Sequence, residues 1–242
     1  MLEAAFWGWV GGAALLLGAA AGIWLPVSTR VIGLVMGFGT GVLFSAVAFE
    51  LTEEAFSRSG TLAVVLGLTG GALTFFLGDW LLDNRGGHRR KSPEGMHPDA
   101  GPLALVLGAL LDGIPESAAI GISLVGGSGI GVAMLVAVFL SNVPEALSAS
   151  SGMRADGISV GRILGLWGAV TAASTVAAAL GFALLGEADP VVVATTQAFA
   201  AGAILTMLSD TMVPEAVKYA GRWVGLVTVV GFGSAFLLSA LA

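Results

Sequence analysis

Residues 110–124, LLDGIPESAAIGISL, and residues 138–150, VFLSNVPEALSAS, decide how this chain is read. Each sets a Pro-Glu pair, Pro115-Glu116 and Pro144-Glu145, deep inside a long apolar run. Asp112 stands four residues before Glu116, and Asn142 three before Glu145. Carboxylates are costly inside a bilayer and mark ion or proton pathways where they occur. Helix positions four apart share a face, so Asp112 and Glu116 point the same way. Ser141 or Asn142 does the same with Glu145. Each proline removes an amide donor and frees the carbonyl one turn earlier, at Leu111 and Leu140. In hydrocarbon such a carbonyl needs a partner, which a cavity-bound ion or water supplies. The two segments predict a cation site between two broken membrane helices.

Depth agrees with this reading. Asp112 and Glu145 lie about eight or nine residues from the inner ends of their runs, some 12–14 Å deep at about 1.5 Å per residue. Asp112, Glu116, Asn142 and Glu145, with Ser141 beside them, then offer an oxygen-rich ligand set. Carboxylate and carboxamide oxygens suit hard or borderline divalent cations. Three carboxylates repel without a cation, so partial protonation and proton release on binding are expected.

The rest of the chain is a membrane protein by composition. It has 242 residues, 56% hydrophobic and 11% charged, with a mean hydropathy of +0.94. A soluble domain carries roughly 25% charged residues. The lipid bilayer is therefore a partner, and no basic patch points to nucleic acid. The absence of cysteine excludes disulfides and thiolate metal sites. The 37 glycines suit close helix contact in a membrane. The N-terminus lacks a basic leader region, so its first apolar run is expected to stay as a span.

Eight apolar runs fall at about 4–25, 29–52, 61–82, 103–125, 130–152, 160–185, 191–214 and 220–241, each near the roughly 20 residues of a membrane helix. The expected fold is all-α, one transmembrane domain over 1–242. Its one extended polar stretch is a loop at about 84–101. Nine of the ten basic residues fall in alternate connections: Arg30; Arg85, Arg89, Arg90 and Lys91; Arg154 and Arg162; Lys218 and Arg222. The other connections hold only Arg58. That asymmetry predicts a cytoplasmic 84–101 loop and both termini outside the cytoplasmic (inner) membrane. Residues 37–55 align without a gap to 198–216, an offset of 161. Phe38, Gly41, Glu54 and Ala55 match Phe199, Gly202, Glu215 and Ala216. The topology makes this repeat inverted, a transporter plan, with a 3+2+3 arrangement of spans.

These features resemble the ZIP (Zrt/Irt-like) divalent metal transporters, close to their short bacterial members. That family has eight spans, external termini, a long loop after span three and His-Asn-x-Pro-Glu-Gly signatures. The corresponding residues are Asp112-Gly113-Ile114-Pro115-Glu116-Ser117 and Ser141-Asn142-Val143-Pro144-Glu145-Ala146. The GFGTG of Gly37–Gly41 and the DTMVPEA of Asp210–Ala216 also look like the family. The resemblance implies a carrier, not an enzyme, with no prosthetic group. It would move zinc, manganese or iron(II) into the cytoplasm by alternating access. Asp112 replaces a histidine, Gly113 an asparagine and Ser141 a usual histidine. The sixth run offers Thr171, Ser174 and Thr175 but no glutamate. These departures favour one oxygen-rich site and weaken the case for zinc specifically. They also motivate a rival, a ZIP-like fold that carries another solute or acts as a sensor. An intramembrane hydrolase using Asp112 and Glu116 has no HExxH or Ser/His pair behind it.

The remaining polar residues carry weaker expectations. Glu50, Glu53 and Glu54 concentrate cations at the entrance or are solvated at the interface. Asp79, Asp210 and Glu215 sit near inner ends, and Asp210 either lines an exit or snorkels. His88 and His97 form a weak loop metal tract. Trp7, Trp9, Trp24, Trp80 and Trp223 are placed as an aromatic belt. The Gly8-Gly12 and Gly37-Gly41 spacings permit helix association within a chain or in a homodimer.

Overall fold

The computed structural model describes residues 1–84, 102–125 and 131–241, with 102–105 described by backbone alone. The regular structure among these residues is helical. In order come α1 (Leu2–Trp24), α2 (Thr29–Ala46), a π-helical segment (Val47–Glu53), α3 (Glu54–Leu82), α4 (Pro102–Ser123), α5 (Val132–Ala155), α6 (Val160–Leu185) and α7 (Pro190–Met207). A second π segment (Leu208–Met212), α8 (Val213–Ala220) and α9 (Trp223–Leu241) complete the chain. The expected loop and its two histidines, beyond Asn84, lie outside the described residues, as does 126–130.

Among the described residues, seven helical stretches are long and apolar enough to cross a bilayer. One of them, Thr29–Leu82, runs for 54 residues. A straight helix of that length would measure about 80 Å, against a hydrocarbon core of about 30 Å. It is not straight, because Gly60 leaves helical geometry at φ 73°, ψ −169°. That backbone region is essentially closed to other residues. The helix runs past the expected end at 52 as far as Ser59, where Arg58 pairs with Glu54 one turn earlier. The helix formed by α7, the second π segment and α8 likewise passes 214 and stops at Gly221, whose φ is 60°.

Landmarks recur 161 residues apart. Ser28 and Asp189 cap α2 and α7, accepting from Val31 N at 3.4 Å and Val191 N at 2.8 Å. The π segments start at Val47 and Leu208. The breaks fall at Gly60 and Gly221. Each π turn admits one extra residue per turn and re-aims the side chains beyond it.

Glycine sets the helix spacing. A Cβ at Gly71 would lie 1.9 Å from the Phe199 carbonyl, and one at Gly202 2.1 Å from that of Leu68, so α3 and α7 touch backbone to backbone. α2 and α9 do the same: Gly41 meets the Thr228 carbonyl at 2.0 Å and Gly231 that of Phe38 at 2.1 Å. Only a Cα hydrogen fits such gaps, giving Cα–H···O contacts in place of side-chain packing. α1 ascends with α5, its Gly11, Gly18 and Gly22 facing Val138, Val143 and Leu147 in turn. It descends against α6, with Gly8 facing Ala178 and Gly12 facing Thr171. α4 ascends with α6, Gly113 and Gly121 facing Ser174 and Ala178.

The core is centred on Leu43, Val47, Leu51, Ile120, Met134, Val138, Ile204 and Met207. The outside of α3 and α9 is large and apolar, with Leu62, Leu66, Leu73, Leu226, Val229 and Leu237 exposed. Trp9, Trp24, Trp80 and Trp223 are exposed, as a belt requires. Trp7 differs: it packs against the core and meets Phe6 edge-on at 5.0 Å.

Gly60→Ala and Gly221→Ala each meet no neighbouring atom, so their cost is purely conformational, about 1–3 kcal/mol. Both should lower the melting temperature in detergent. Gly165→Ala, in equally open space within α6, should leave it unchanged or raise it. Equal effects at all three positions would contradict the assigned backbone.

Candidate functional site

Helix α4 carries Pro115 in its interior and α5 carries Pro144, and both stay helical through the proline. The expected breaks are thus confined to one missing backbone donor per helix. Packing accounts for this continuity. Gly39 of α2 brings that helix against α5, where its Cβ would stand 3.2 Å from Ser141 Cα and 3.5 Å from both Leu140 O and Pro144 Cγ. The carbonyl that Pro144 frees is therefore covered by a neighbouring backbone.

Asp112, Glu116 and Ser117 of α4, with Ser141, Asn142, Glu145 and Ser148 of α5, are none of them more than 4% exposed. Three carboxyl groups are thus buried within the bundle. Gly11 of α1 marks where the helices meet. A Cβ there would touch Ile120 Cδ1 at 2.9 Å, Val138 Cγ1 at 3.6 Å and Leu135 Cδ1 at 3.8 Å. The helix directions above make α4 antiparallel to α5. One turn from Ile120 back along α4 is Glu116, and one turn from Val138 forward along α5 is Asn142. A further turn reaches Asp112 and Glu145. Both helices step away from the shared contact in the same direction, which brings Glu116 level with Asn142 and Asp112 level with Glu145.

The neutral members are anchored. Asn142 donates its amide to Gly11 O at 3.1 Å, which fixes the carboxamide plane. Ser141 donates to Val138 O at 2.9 Å. From α6, Thr171 donates to Gly12 O at 2.9 Å, so adjacent carbonyls of α1 are held from two sides. Ser174 is buried, and its Oγ is 3.5 Å from the position a Gly113 Cβ would take. Thr175 turns back to Thr171 O. Among the described residues no three His, Cys, Asp or Glu side chains are gathered as a metal-binding group.

A second polar cluster lies at the end where α4 finishes and α5 begins. Gln197 of α7, 1% exposed, donates to Glu54 Oε2 at 2.6 Å and to the Glu50 carbonyl at 3.1 Å. Arg58 Nε donates to Glu54 Oε1 at 3.1 Å, and Ser239 of α9 donates to the Glu50 carboxylate. Two of the three acidic residues expected at an entrance are thus engaged between helices, and Glu53 alone is exposed. Sequence reasoning missed Gln197 and Ser239. The signal was available for the first, since Gln197 is the chain's one glutamine and sits in an apolar run. Asp210 is exposed on its π segment, within electrostatic reach of Asp79, and lines a groove with Leu68, Phe76 and Leu205. Glu215 is half-buried.

No family model matches the chain. It is 28% identical over 207 residues to a protein of Arabidopsis thaliana named "Putative zinc transporter". The match takes in 84% of this chain and 33% of that protein, so the chain spans about a third of its relative's length.

Gly18→Ala would set a Cβ 2.2 Å from the Val143 carbonyl and push α1 off α5 beside Glu145. Overpacking of this kind costs about 1–3 kcal/mol, and each kcal/mol is worth about 2–4 °C in a chain of this size. A fall of several degrees in melting temperature is expected, with no fall for Gly168→Ala, which meets open space.

Proposed function

We propose that this chain carries divalent metal cations across a membrane. One observation carries the reading: three carboxylic acids, Asp112, Glu116 and Glu145, are buried on two neighbouring, proline-bearing helices of an apolar bundle. Buried acids without a transport or binding role are disfavoured in hydrocarbon. Similarity to a protein named as a zinc transporter supports the same class of substrate.

In the finer reading the chain is ZIP-like, with eight spans. The break at Gly60 supports dividing Thr29–Leu82 into two spans. The landmarks 161 residues apart, and α1 running against α6, support a 3+2+3 inverted repeat. Basic residues on alternate connections support external termini in the cytoplasmic membrane and a cytoplasmic 84–101 loop. The cation would sit at one site between α4 and α5. Glu116 and Glu145 would be the central ligands, Asp112 and Asn142 would complete the set, and Ser141 would stand within reach. Asn142 has its nitrogen tied to Gly11, so its oxygen is the atom left for a cation. Three neighbouring carboxylates would repel one another when ionised, and a bound cation would offset that repulsion. Their protonation on the inner side would release it to the cytoplasm by alternating access. No prosthetic group or bond-breaking chemistry is needed. Zinc is the first candidate by relationship, while the oxygen-only ligand set suits manganese or iron(II) equally. The absence of a gathered three-group cluster among the described residues favours, as a second reading, a ZIP-like carrier of another solute or a sensor.

Uptake into proteoliposomes across zinc, manganese, iron(II), cobalt and cadmium tests the proposal. Glu116→Gln and Glu145→Gln should each abolish uptake in a folded, inserted protein. Asn142→Ala should weaken it less, because a neutral ligand compensates less charge. Asp112→His should move preference toward zinc, since imidazole suits it better. Normal uptake by both Glu→Gln variants would discard the site.

Orientation has its own test. A single cysteine placed in 84–101 should react in intact cells only with a membrane-permeant reagent. Ready reaction with an impermeant one would reverse the topology.

A further inference from the structure

The cluster around Gln197 has a structural consequence. It joins four separate parts of the bundle at one end: the rod formed by α2, its π segment and the start of α3, then α7, α9 and the turn after α4. Gln197 bridges the Glu54 carboxylate and the Glu50 carbonyl. Arg58 pairs with Glu54 and reaches the Val125 carbonyl at 3.5 Å. Ser239 ties Glu50 to α9. Between this cluster and Glu116 the helices meet through apolar side chains, Ile120, Met134, Leu135 and Val138, all buried.

The other end of the bundle keeps an acid, Glu215, at the position matching Glu54, but carries different side chains elsewhere in the cluster. Residues 161 positions away from Gln197, Arg58 and Glu50 are Met36, Tyr219 and Thr211. A thioether, a phenol and a hydroxyl replace the amide, guanidinium and carboxylate. The clasp therefore breaks the near-symmetry of the two halves, and charge-assisted hydrogen bonds of this kind are the strong ones in a low-dielectric setting.

We propose that Gln197, Glu54 and Arg58, with Glu50 and Ser239, form a latch that holds this end of the bundle shut over the buried acids. The latch rests on the reading of the protein as a carrier with two accessible sides, but its test needs no transport. The chain has no cysteine, so Val138→Cys introduces a single thiol in the apolar seal. Leu147→Cys introduces one beyond Glu145, toward the opposite end. The rate of reaction with a charged methanethiosulfonate is measured for each in purified, detergent-solubilised protein. Adding Gln197→Leu or Arg58→Gln should speed reaction at position 138 by about tenfold, the population change expected from losing one charge-assisted hydrogen bond. Reaction at 147 should stay the same or slow. Unchanged rates at 138, or equal acceleration at both positions, would overturn the latch. Should Gln197→Leu fail to fold, Arg58→Gln and Ser239→Ala at the rim give the same readout. Unchanged labelling with metal uptake intact removes the latch alone. Faster labelling in a protein that moves no metal removes the carrier reading instead.

Discussion

Burying a carboxylate in an apolar bundle is the constraint on which the rest of this structure depends. A single unpaired charge there costs several kcal/mol or is neutralised by a proton. Asp112, Glu116 and Glu145 bring three carboxylic acids into the apolar interior on neighbouring helices. The surroundings supply what such groups need. α1 offers carbonyls to Asn142 and Thr171, which holds three helices in register beside the acids. α2 covers the carbonyl freed by Pro144 through a glycine. On the proposed reading, a cation of charge two would offset most of the repulsion among these acids when they are ionised.

The second constraint is spacing. With no hydrophobic force between helices in lipid, association relies on close contact and backbone interactions. Backbone carbonyls of one helix sit over glycines of the next at α1–α5, α2–α9, α3–α7 and α4–α6. Such contacts fix the distance between helices. Directional polar contacts between helices add to these; among the described residues they include the Asn142 and Thr171 bonds to α1, Ser151 to the Gly22 carbonyl, Trp167 to Ser150, Thr228 to the Gly37 carbonyl, and the cluster around Gln197.

Much of this was legible in the sequence. The Pro-Glu pairs pointed to two apolar helices carrying acids, and α4 and α5 are helices with those acids buried. The apolar runs located nearly all the helical stretches, because 20-residue hydrophobic segments have few other structures open to them. The 161-residue offset came from residues 37–55, yet its firmest structural counterparts, Ser28 with Asp189 and Gly60 with Gly221, lie outside that window. Helix ends were less legible. Hydropathy stops at polar residues, whereas the helix past Leu51 continues because Glu54 and Arg58 pair along it. The effect of the prolines was overstated, since one missing donor does not break a helix whose neighbours pack against the gap. Gln197 escaped notice because an isolated amide has no motif; only its partners on α3 and the π segment reveal what it does.

The central claim is that a divalent cation is held by oxygen atoms of α4 and α5. X-ray absorption spectroscopy on the zinc-loaded protein addresses it most directly. The account predicts a first shell of oxygen with no outer-shell imidazole scattering, lost in Glu116→Gln and Glu145→Gln. An imidazole signature, which only His88 or His97 could supply, or a shell unaffected by those two substitutions, would contradict it.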